Sequence, residues 1–142
     1  MEKQKYAAIV LAAGSGKRMN SKVHKQYLII QDRPVLYYSL KAFEDSAVDE
    51  IVLVVGKGEE EFCRKEIVDK YGISKVKAIV EGGKERYHSV FEGLKQTSDA
   101  DYVLIHDGAR PFVNQDIIRR CMQEVQKYQA CVVGMPVKDT IK

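Results

Sequence analysis

The stretch that decides the fold is IVLAAGSGKRM at residues 9–19, with Lys25 shortly downstream. Its apolar half is typical of a strand buried on both faces, and its glycine half is typical of a loop leaving such a strand. Glycines let backbone N–H groups approach an oxyanion closely, and Lys17, Arg18 and Lys25 supply positive charge at the same place. The stretch therefore predicts a phosphate-binding loop at the carboxyl end of a buried strand.

Two common glycine motifs do not account for this loop. The P-loop pattern G-x-x-x-x-G-K-[ST] fails because Leu11 stands where its first glycine would be and Arg18 follows the lysine. The dinucleotide fingerprint G-x-G-x-x-G/A finds Gly14 and Gly16 but has Met19 at its third position. A Walker A loop is excluded and a Rossmann dehydrogenase is disfavoured, which leaves a plain tight turn as the alternative to a phosphate loop.

Length and composition bound the class of protein. The 142 residues are 45% hydrophobic, so we expect one domain over residues 1–142, ending abruptly after its fifth main strand as a truncated domain would. The 23 basic and 20 acidic residues give a net charge of +3, without the one-sided basicity of a dedicated nucleic-acid binder. No apolar run reaches the ~20 residues of a membrane span and no signal peptide is visible, which predicts a cytoplasmic protein without a membrane partner.

The cysteines and two of the histidines predict structural roles. Cys63, Cys121 and Cys131 are odd in number and widely spaced, and they form no C-x-x-C pair, which indicates reduced, buried thiols. We expect His88 and His106 to pack or to form hydrogen bonds, because no second ligand stands at metal spacing.

Predicted strands and helices alternate along the chain. The strands are residues 6–12, 50–55, 76–80, 101–106 and 130–136, and the helices are residues 34–45, 59–70, 87–94 and a segment around residues 117–125. Pro34 is predicted as a first helical residue, and Phe62 and Leu94 are predicted to face inward. The alternation predicts an α/β fold with a doubly wound, mostly parallel sheet and helices on both faces.

Ligands of doubly wound sheets bind outside the carboxyl ends of the strands. That rule places the glycine loop at the same edge as residues 82–83, 107–110 and 139–140. The sequence therefore predicts one ligand site built from segments that are far apart along the chain.

Four segments together resemble one family. They are LAAGSGKRM at 11–19, KQY at 25–27, GGKERYHSV at 82–90 and HDGARPF at 106–112, and PVKDTIK at 136–142 is similar to a fifth. In this combination and order they resemble 2-C-methyl-D-erythritol 4-phosphate cytidylyltransferase. The resemblance implies a Rossmann-like nucleotidyltransferase that transfers CMP from CTP to methylerythritol phosphate, releases pyrophosphate, and serves the non-mevalonate isoprenoid pathway.

The chain departs from the family pattern in two ways. His24 stands where the family has a proline before the lysine, which affects the stiffness of the loop before Lys25. Family members also continue past this length, through a dimer-forming arm and residues that hold the acceptor. The resemblance thus covers the N-terminal part of the family, and it implies a homodimer for a complete chain.

The resemblance also implies roles for individual residues. Arg18 and Lys25 match the pair that stabilises the transition state, where fixed cations and amides are the groups that a crowded pentacoordinate phosphorus needs. Asp107 stands at a strand end where the triphosphate would be, and a carboxylate there indicates a Mg²⁺ partner because it would otherwise repel the substrate; capping of the next turn is the alternative. The implied positions are Ala12, Ala13, Gly14, Gly16, Gly82, Gly83, Arg86, Ser89, Asp107 and Arg110 for CTP, and Lys138 and Thr140 for the acceptor.

Some of these implied roles are more specific. Gly82, Gly83 and Ser89 resemble the cytosine and ribose pocket, where backbone groups distinguish the amino group of cytosine from the oxygen of uracil. Arg86 and Arg110 resemble residues that hold phosphate, with bracing of the loops as the alternative.

Two other functions stay open at this point. The first is a related nucleotidyltransferase, such as a ribitol phosphate cytidylyltransferase or a sugar nucleotide pyrophosphorylase, although HDGARP at 106–111 favours methylerythritol phosphate. The second belongs to a different class: a nucleotide-binding fragment without turnover, because the acceptor half would be incomplete.

Overall fold

The computed structural model describes residues 4–12, 29–30, 32–108, 113–128 and 130–133. Its strands are β1 (Tyr6–Ala12), β2 (Ile29–Ile30), β3 (Arg33–Pro34), β4 (Glu50–Val55), β5 (Val76–Glu81), β6 (Tyr102–Asp107) and β7 (Ala130–Val133). Its helices are α1 (Val35–Glu44), α2 (Glu60–Cys63), which a π-helical turn (Arg64–Asp69) continues, α3 (Arg86–Lys95) and α4 (Gln115–Tyr128). Within these ranges, none of the helices combines the length and the apolar character that crossing a bilayer requires.

Within the described ranges, the main sheet has five strands in the order β5-β4-β1-β6-β7, and every neighbouring pair is parallel. Strand β1 lies in the middle, and all of its residues except Tyr6 are buried. Two strands therefore lie to each side of β1, and the chain reverses its direction of winding there. This arrangement confirms the predicted doubly wound parallel sheet.

Alternating side chains of β1 build two apolar layers, one on each face of the sheet. Ala8 and Val10 belong to a core that also contains residues of α1, of α2 with its π-helical continuation, and of α4. Ile9 and Leu11 belong to the opposite core, which Val90 of α3 covers. Helices thus lie on both faces, as predicted.

The prediction for Pro34 is wrong. Pro34 ends β3, where it pairs with Ile29 of β2, and it stands just before α1 with an extended ψ of 149°. Asp32 makes the intervening turn with a φ of 71°, a conformation that aspartate tolerates better than most residues. The small antiparallel ladder therefore holds Pro34 outside the helix.

Two residues predicted to face inward are exposed, and both predictions are wrong. The predicted helix over residues 59–70 becomes α2 followed by the π-helical turn. Cys63 and Ile67 are buried, whereas Phe62, next to Cys63, is 48% exposed. Leu94 is 40% exposed because Gly93, next to it, takes the position against the sheet. Periodicity predicts both helices and the burial of Cys63 and Ile67, but it is wrong for Phe62 and Leu94.

Two of the three cysteines match their prediction. Cys63 and Cys121 are buried and form no disulfide, and both lie in the core that α1, α2 and α4 share. The side chain of Cys131 lies outside the described part of the chain.

Candidate active site

Three of the predicted nucleotide-binding residues lie along the carboxyl edge of the sheet. Ala12 ends β1 and pairs with Val55, whose carbonyl oxygen accepts a hydrogen bond from the Gly82 N–H at 2.8 Å. Asp107 ends β6 on the other side of β1, where it pairs with Leu11. Three strand spacings, about 14 Å, separate β5 from β6 along this edge. The structure thus brings Ala12, Gly82 and Asp107, which are 25 to 95 residues apart in the sequence, to one edge of the sheet, as the sequence predicts.

Eight predicted site residues lie outside the described part of the chain, and their roles remain predictions. They are Ala13, Gly14, Gly16, Arg18, Lys25, Arg110, Lys138 and Thr140. His24, the departure from the family pattern, lies there too.

The loop after β5 folds tightly onto the start of α3. A Cβ atom at Gly83 would stand 2.2 Å from the Cβ of His88, so only glycine fits there without a shift. The His88 ring accepts a hydrogen bond from the Glu85 N–H through Nδ1 at 3.2 Å, which confirms the hydrogen-bonding role predicted for this histidine. Arg86 is exposed at the first position of α3, whereas Ser89 is buried on its sheet side. The partial positive charge at the start of α3 therefore lies beside the 82–83 backbone.

The turn that follows β6 packs closely against the end of β1. The Gly108 N–H donates to the Leu11 carbonyl oxygen at 2.7 Å, and a Cβ at Gly108 would stand 2.8 Å from Cδ1 of Leu36 and 3.0 Å from that same oxygen. A larger residue would push the turn away from β1. Glycine here therefore holds the half-buried Asp107 next to the end of the central strand.

The sequence does not identify Ser39, the buried side chain that contacts the residues on both sides of Asp107. Ser39 of α1 is fully buried, and its Oγ lies 3.2 Å from Nε2 of His106 and donates to the Gly108 carbonyl oxygen at 3.4 Å. The His106 ring also contacts Phe43, with 5.6 Å between ring centroids, so its predicted packing and hydrogen-bonding role is confirmed. Ser39 and His106 are 67 residues apart, and no local pattern could have indicated their contact.

The opposite, amino edge of the sheet carries an ion-pair network. Lys5 lies 2.6 Å from an oxygen of Asp99 and 2.9 Å from one of Glu50, and Lys77 lies 3.0 Å from the other Glu50 oxygen. Hydrogen bonds to Asp99 and then Glu50 raise the pKa of Lys5 well above its ordinary range. The hydrogen bond from Lys5 lowers the pKa of Asp99. These charges neutralise one another, so we assign this edge a structural role.

The chemistry of the carboxyl edge fits a metal shared with a substrate. In the part of the chain that the structure describes, no three His, Cys, Asp or Glu side chains converge as ligands. Mg²⁺ commonly takes only one or two protein carboxylates and completes its octahedron with waters and substrate phosphates. The carboxylate of Asp107 at the end of β6 suits that mode of binding.

Comparison with known proteins gives the family. The family model for IspD, 2-C-methyl-D-erythritol 4-phosphate cytidylyltransferase, matches residues 6–142. The enzyme of that name from Lachnoclostridium phytofermentans is 54% identical over 139 residues, which are 98% of this chain and 60% of that protein. The one from Lachnospira eligens is 56% identical over 136 residues, which are 95% of this chain and 60% of that protein.

A solved structure agrees with these sequence matches. The crystal structure of 4-diphosphocytidyl-2C-methyl-D-erythritol synthase from Anaerococcus prevotii superposes with a TM-score of 0.72 at 31% identity, covering 87% of this chain and 52% of that one. The chain spans about 60% of the length of the curated relatives it matches. It belongs to the 2-C-methyl-D-erythritol 4-phosphate cytidylyltransferase family.

Proposed function

We propose that this chain binds CTP with Mg²⁺ at the carboxyl edge of its sheet and acts in the transfer of CMP to 2-C-methyl-D-erythritol 4-phosphate, a step of non-mevalonate isoprenoid biosynthesis. The observation that carries the proposal is the alignment of Ala12, Gly82 and Asp107 along one edge, in a chain whose family is established over residues 6–142. A nucleoside triphosphate is a long ligand with a neutral base at one end and charge at the other. The described part of the edge has backbone groups at one end and a carboxylate at the other, and we propose the loop that follows Ala12 in the sequence for the triphosphate.

The reaction needs charge stabilisation more than it needs a protein nucleophile. An oxygen of the acceptor phosphate attacks the α-phosphorus, and the bond from that phosphorus to the bridging oxygen breaks, so pyrophosphate leaves with the electron pair. The acceptor phosphate is already ionised at neutral pH, so no general base is required. We assign Arg18 and Lys25 to the negative charge that builds on the equatorial oxygens. The amides of residues 12–16 would hold the leaving phosphates.

The other end of the edge is the place we propose for the nucleoside. The backbone at Gly82 and Gly83 is fixed against β4 and against His88, so its N–H and C=O groups are positioned before a ligand arrives. Such fixed groups can distinguish an exocyclic amine from an oxygen. Ser89 lies below this loop on α3, and the exposed Arg86 can reach phosphate or brace the loop; Arg110 is proposed for the same roles.

We assign Mg²⁺ to Asp107. The ion, when bound, would neutralise charge on the triphosphate and hold it in a reactive conformation. The contribution of this chain is to hold the Asp107 carboxylate at the end of β6, where the Gly108 turn is tied to β1.

The acceptor and the assembly complete the proposal. Lys138 and Thr140 are the residues we propose for the methylerythritol phosphate, near a contact between two copies in a homodimer. We place the activity in the cytoplasm, where its charged substrates are found. No nucleic acid or membrane partner is proposed.

A second candidate follows from the share of the family that this chain spans. Because it covers about 60% of its relatives' length, it can bind CTP with Mg²⁺ and turn over poorly. A third candidate, transfer to ribitol phosphate or formation of a sugar nucleotide, differs only in the acceptor.

The test compares acceptors on the purified chain with CTP and Mg²⁺. Pyrophosphate release with methylerythritol phosphate, and none above background with ribitol phosphate or a sugar phosphate, is the expected result. Calorimetric binding of CTP with Mg²⁺ without pyrophosphate release supports the second candidate. Turnover with ribitol phosphate alone would refute the proposed acceptor, and absence of CTP binding would refute both of the first two candidates.

A further inference from the structure

A buried polar cluster lies directly beneath the turn that carries Asp107. His106 is 1% exposed and Ser39 is 0% exposed, although most of their neighbours in this core are apolar. Polar side chains in such a place are stable only when they are hydrogen-bonded. Hydrogen bonds therefore stabilise the cluster, and two of them lead to the candidate site.

The hydrogen bonds of the cluster can be assigned from their geometry. The Ser39 hydroxyl has one proton, which it donates to the Gly108 carbonyl oxygen at 3.4 Å. Its Oγ then accepts at 3.2 Å from Nε2 of His106, so the ring carries a proton on that nitrogen. This tautomer is an assignment from the hydrogen-bond network.

The two contacts of Ser39 bracket Asp107. His106 precedes the aspartate and Gly108 follows it, and both are tied to the same hydroxyl of α1. The Gly108 N–H is tied in addition to the Leu11 carbonyl oxygen of β1 at 2.7 Å. The residues on both sides of Asp107, through the His106 side chain and the Gly108 backbone, are thus attached to α1 and β1, which limits the direction in which the Asp107 carboxylate points.

We propose that Ser39 and His106 are positioning residues that fix the Asp107–Gly108 turn and thereby aim the Asp107 carboxylate at a Mg²⁺-bound triphosphate. The claim that the carboxylate is aimed at a Mg²⁺-bound triphosphate rests on the proposed function. The claim that Ser39 and His106 fix the Asp107–Gly108 turn does not. The two claims are therefore tested by separate measurements.

The experiment uses Ser39→Ala, which removes the hydroxyl, and His106→Gln, which keeps a polar atom and serves as a second variant if the first folds poorly. Thr97→Ala is the matched control, because it also removes a buried hydroxyl that donates to a carbonyl, that of Leu94 at 3.1 Å, at the far end of α3. Ser39→Thr, which restores a hydroxyl, tests for rescue. Each variant is measured by amide hydrogen exchange and by calorimetric titration with CTP, with and without Mg²⁺.

The expected result is selective. Exchange of the Gly108 amide, relative to the amides of β1, is expected to rise about tenfold in Ser39→Ala and to change little in Thr97→Ala, since one buried hydrogen bond is worth about a tenfold change in an equilibrium. The Kd for CTP with Mg²⁺ is expected to rise by a similar factor while the Kd for metal-free CTP stays within about twofold. Ser39→Thr is expected to recover most of both effects.

Three outcomes would overturn the inference. They are unchanged Gly108 exchange in Ser39→Ala, an equal rise in Thr97→Ala, or loosened exchange with an unaltered Kd for CTP with Mg²⁺. If the unmodified chain binds no CTP with Mg²⁺, the proposed function fails, and the exchange of Gly108 decides the positioning role by itself.

Discussion

The backbone of Gly83 and the side chain of His88 approach so closely that a Cβ at Gly83 would stand 2.2 Å from the Cβ of His88. Both of those carbons are fixed to backbone, so neither can rotate away. His88 also accepts a hydrogen bond from the N–H of Glu85, which joins the loop after β5 to the first turn of α3. The proposed nucleoside end of the site is therefore shaped by backbone packing.

Gly83→Ala tests this contact. We expect a loss of about 1–3 kcal/mol of unfolding free energy, because an added methyl in a filled space forces the backbone to shift. Urea unfolding measures the loss, and titration with CTP measures the accompanying weakening of binding. Lys84→Ala, at the exposed neighbouring position, is the control and should stay within about 0.5 kcal/mol of the unmodified chain. Equal stabilities for Gly83→Ala and the unmodified chain would contradict the close contact.

Gly93→Ala separates helix propensity from packing. Alanine favours a helix over glycine by about 1 kcal/mol, yet a Cβ at Gly93 would stand 2.7 Å from Cγ2 and 3.1 Å from Cδ1 of Ile9. We expect packing to dominate, with a net loss of about 1–2 kcal/mol in thermal or urea unfolding.

The double variant Ile9→Ala/Gly93→Ala provides the control for that experiment. Ile9→Ala alone should cost about 2–5 kcal/mol through the cavity it leaves. Because the new methyl at Gly93 enters that cavity, the double variant should lose less than the sum of the single losses. Strict additivity would show that α3 does not pack against β1 at this point.

Glu44 of α1 accepts hydrogen bonds from the residues just before β5, and we expect this contact to weaken in acid. Burial raises the pKa of Glu44, but hydrogen bonds from the Ser74 hydroxyl and from the N–H groups of Lys75 and Ser74, at 2.8 and 3.0 Å, outweigh it and lower the pKa below 4.5. A lowered folded pKa means that the stabilisation is complete above pH 4.5 and is lost as the pH falls through the folded value.

Glu44→Gln is the variant that measures this contribution. At pH 7 it should lose about 1 kcal/mol of unfolding free energy, because the amide cannot accept all of those hydrogen bonds. The difference from the unmodified chain should shrink as the pH falls from 4.5 through the lower folded pKa of Glu44, and it should reach its minimum once the native carboxylate is protonated. Glu61→Gln, at an exposed position of α2, is the control. A difference that stays constant between pH 7 and pH 3 would show that the ionised form of Glu44 makes no special contribution.

Arg18→Ala tests the assigned charge stabiliser. Loss of a preorganised cation from a phosphoryl-transfer site should lower kcat by about 10²-fold or more. Pyrophosphate release measures it, under single-turnover conditions with the chain in excess over CTP if turnover is slow. Lys17→Ala, the neighbouring cation of the same loop, is the matched control and should change kcat much less. An unchanged kcat in Arg18→Ala would remove this arginine from the mechanism.

The fold was largely predictable because its main strands are short apolar runs bounded by glycine, polar or charged residues. Glu50–Val55 is buried along its whole length and was found with correct bounds from composition alone. The wrong predictions concern residues whose conformation or orientation depends on contacts with other segments of the chain. Pro34 is held extended by the pairing of β3 with β2, and Phe62 is exposed beside the buried Cys63, neither of which local periodicity expresses.

The candidate site was predictable only where its chemistry is carried by short motifs. The sequence predicts the place of Gly82 and Asp107 at the carboxyl edge, because glycine pairs and a carboxylate after a buried strand are visible in it, while their roles remain predictions. Ser39 was not found, because a serine in the middle of an amphipathic helix resembles any other polar helical residue. Its contacts to His106 and Gly108 exist only once α1 packs against the sheet.

The central claim is that the triphosphate of CTP lies at the carboxyl ends of β1 and β6. Crystals of the chain grown with CTP and Mg²⁺ test it most directly. The account predicts the triphosphate against the backbone of residues 12–16, with the Arg18 guanidinium facing it, the metal beside Asp107 and the base near residues 82–83. A triphosphate bound elsewhere on the chain, or Arg18 pointing away from it, would contradict the account.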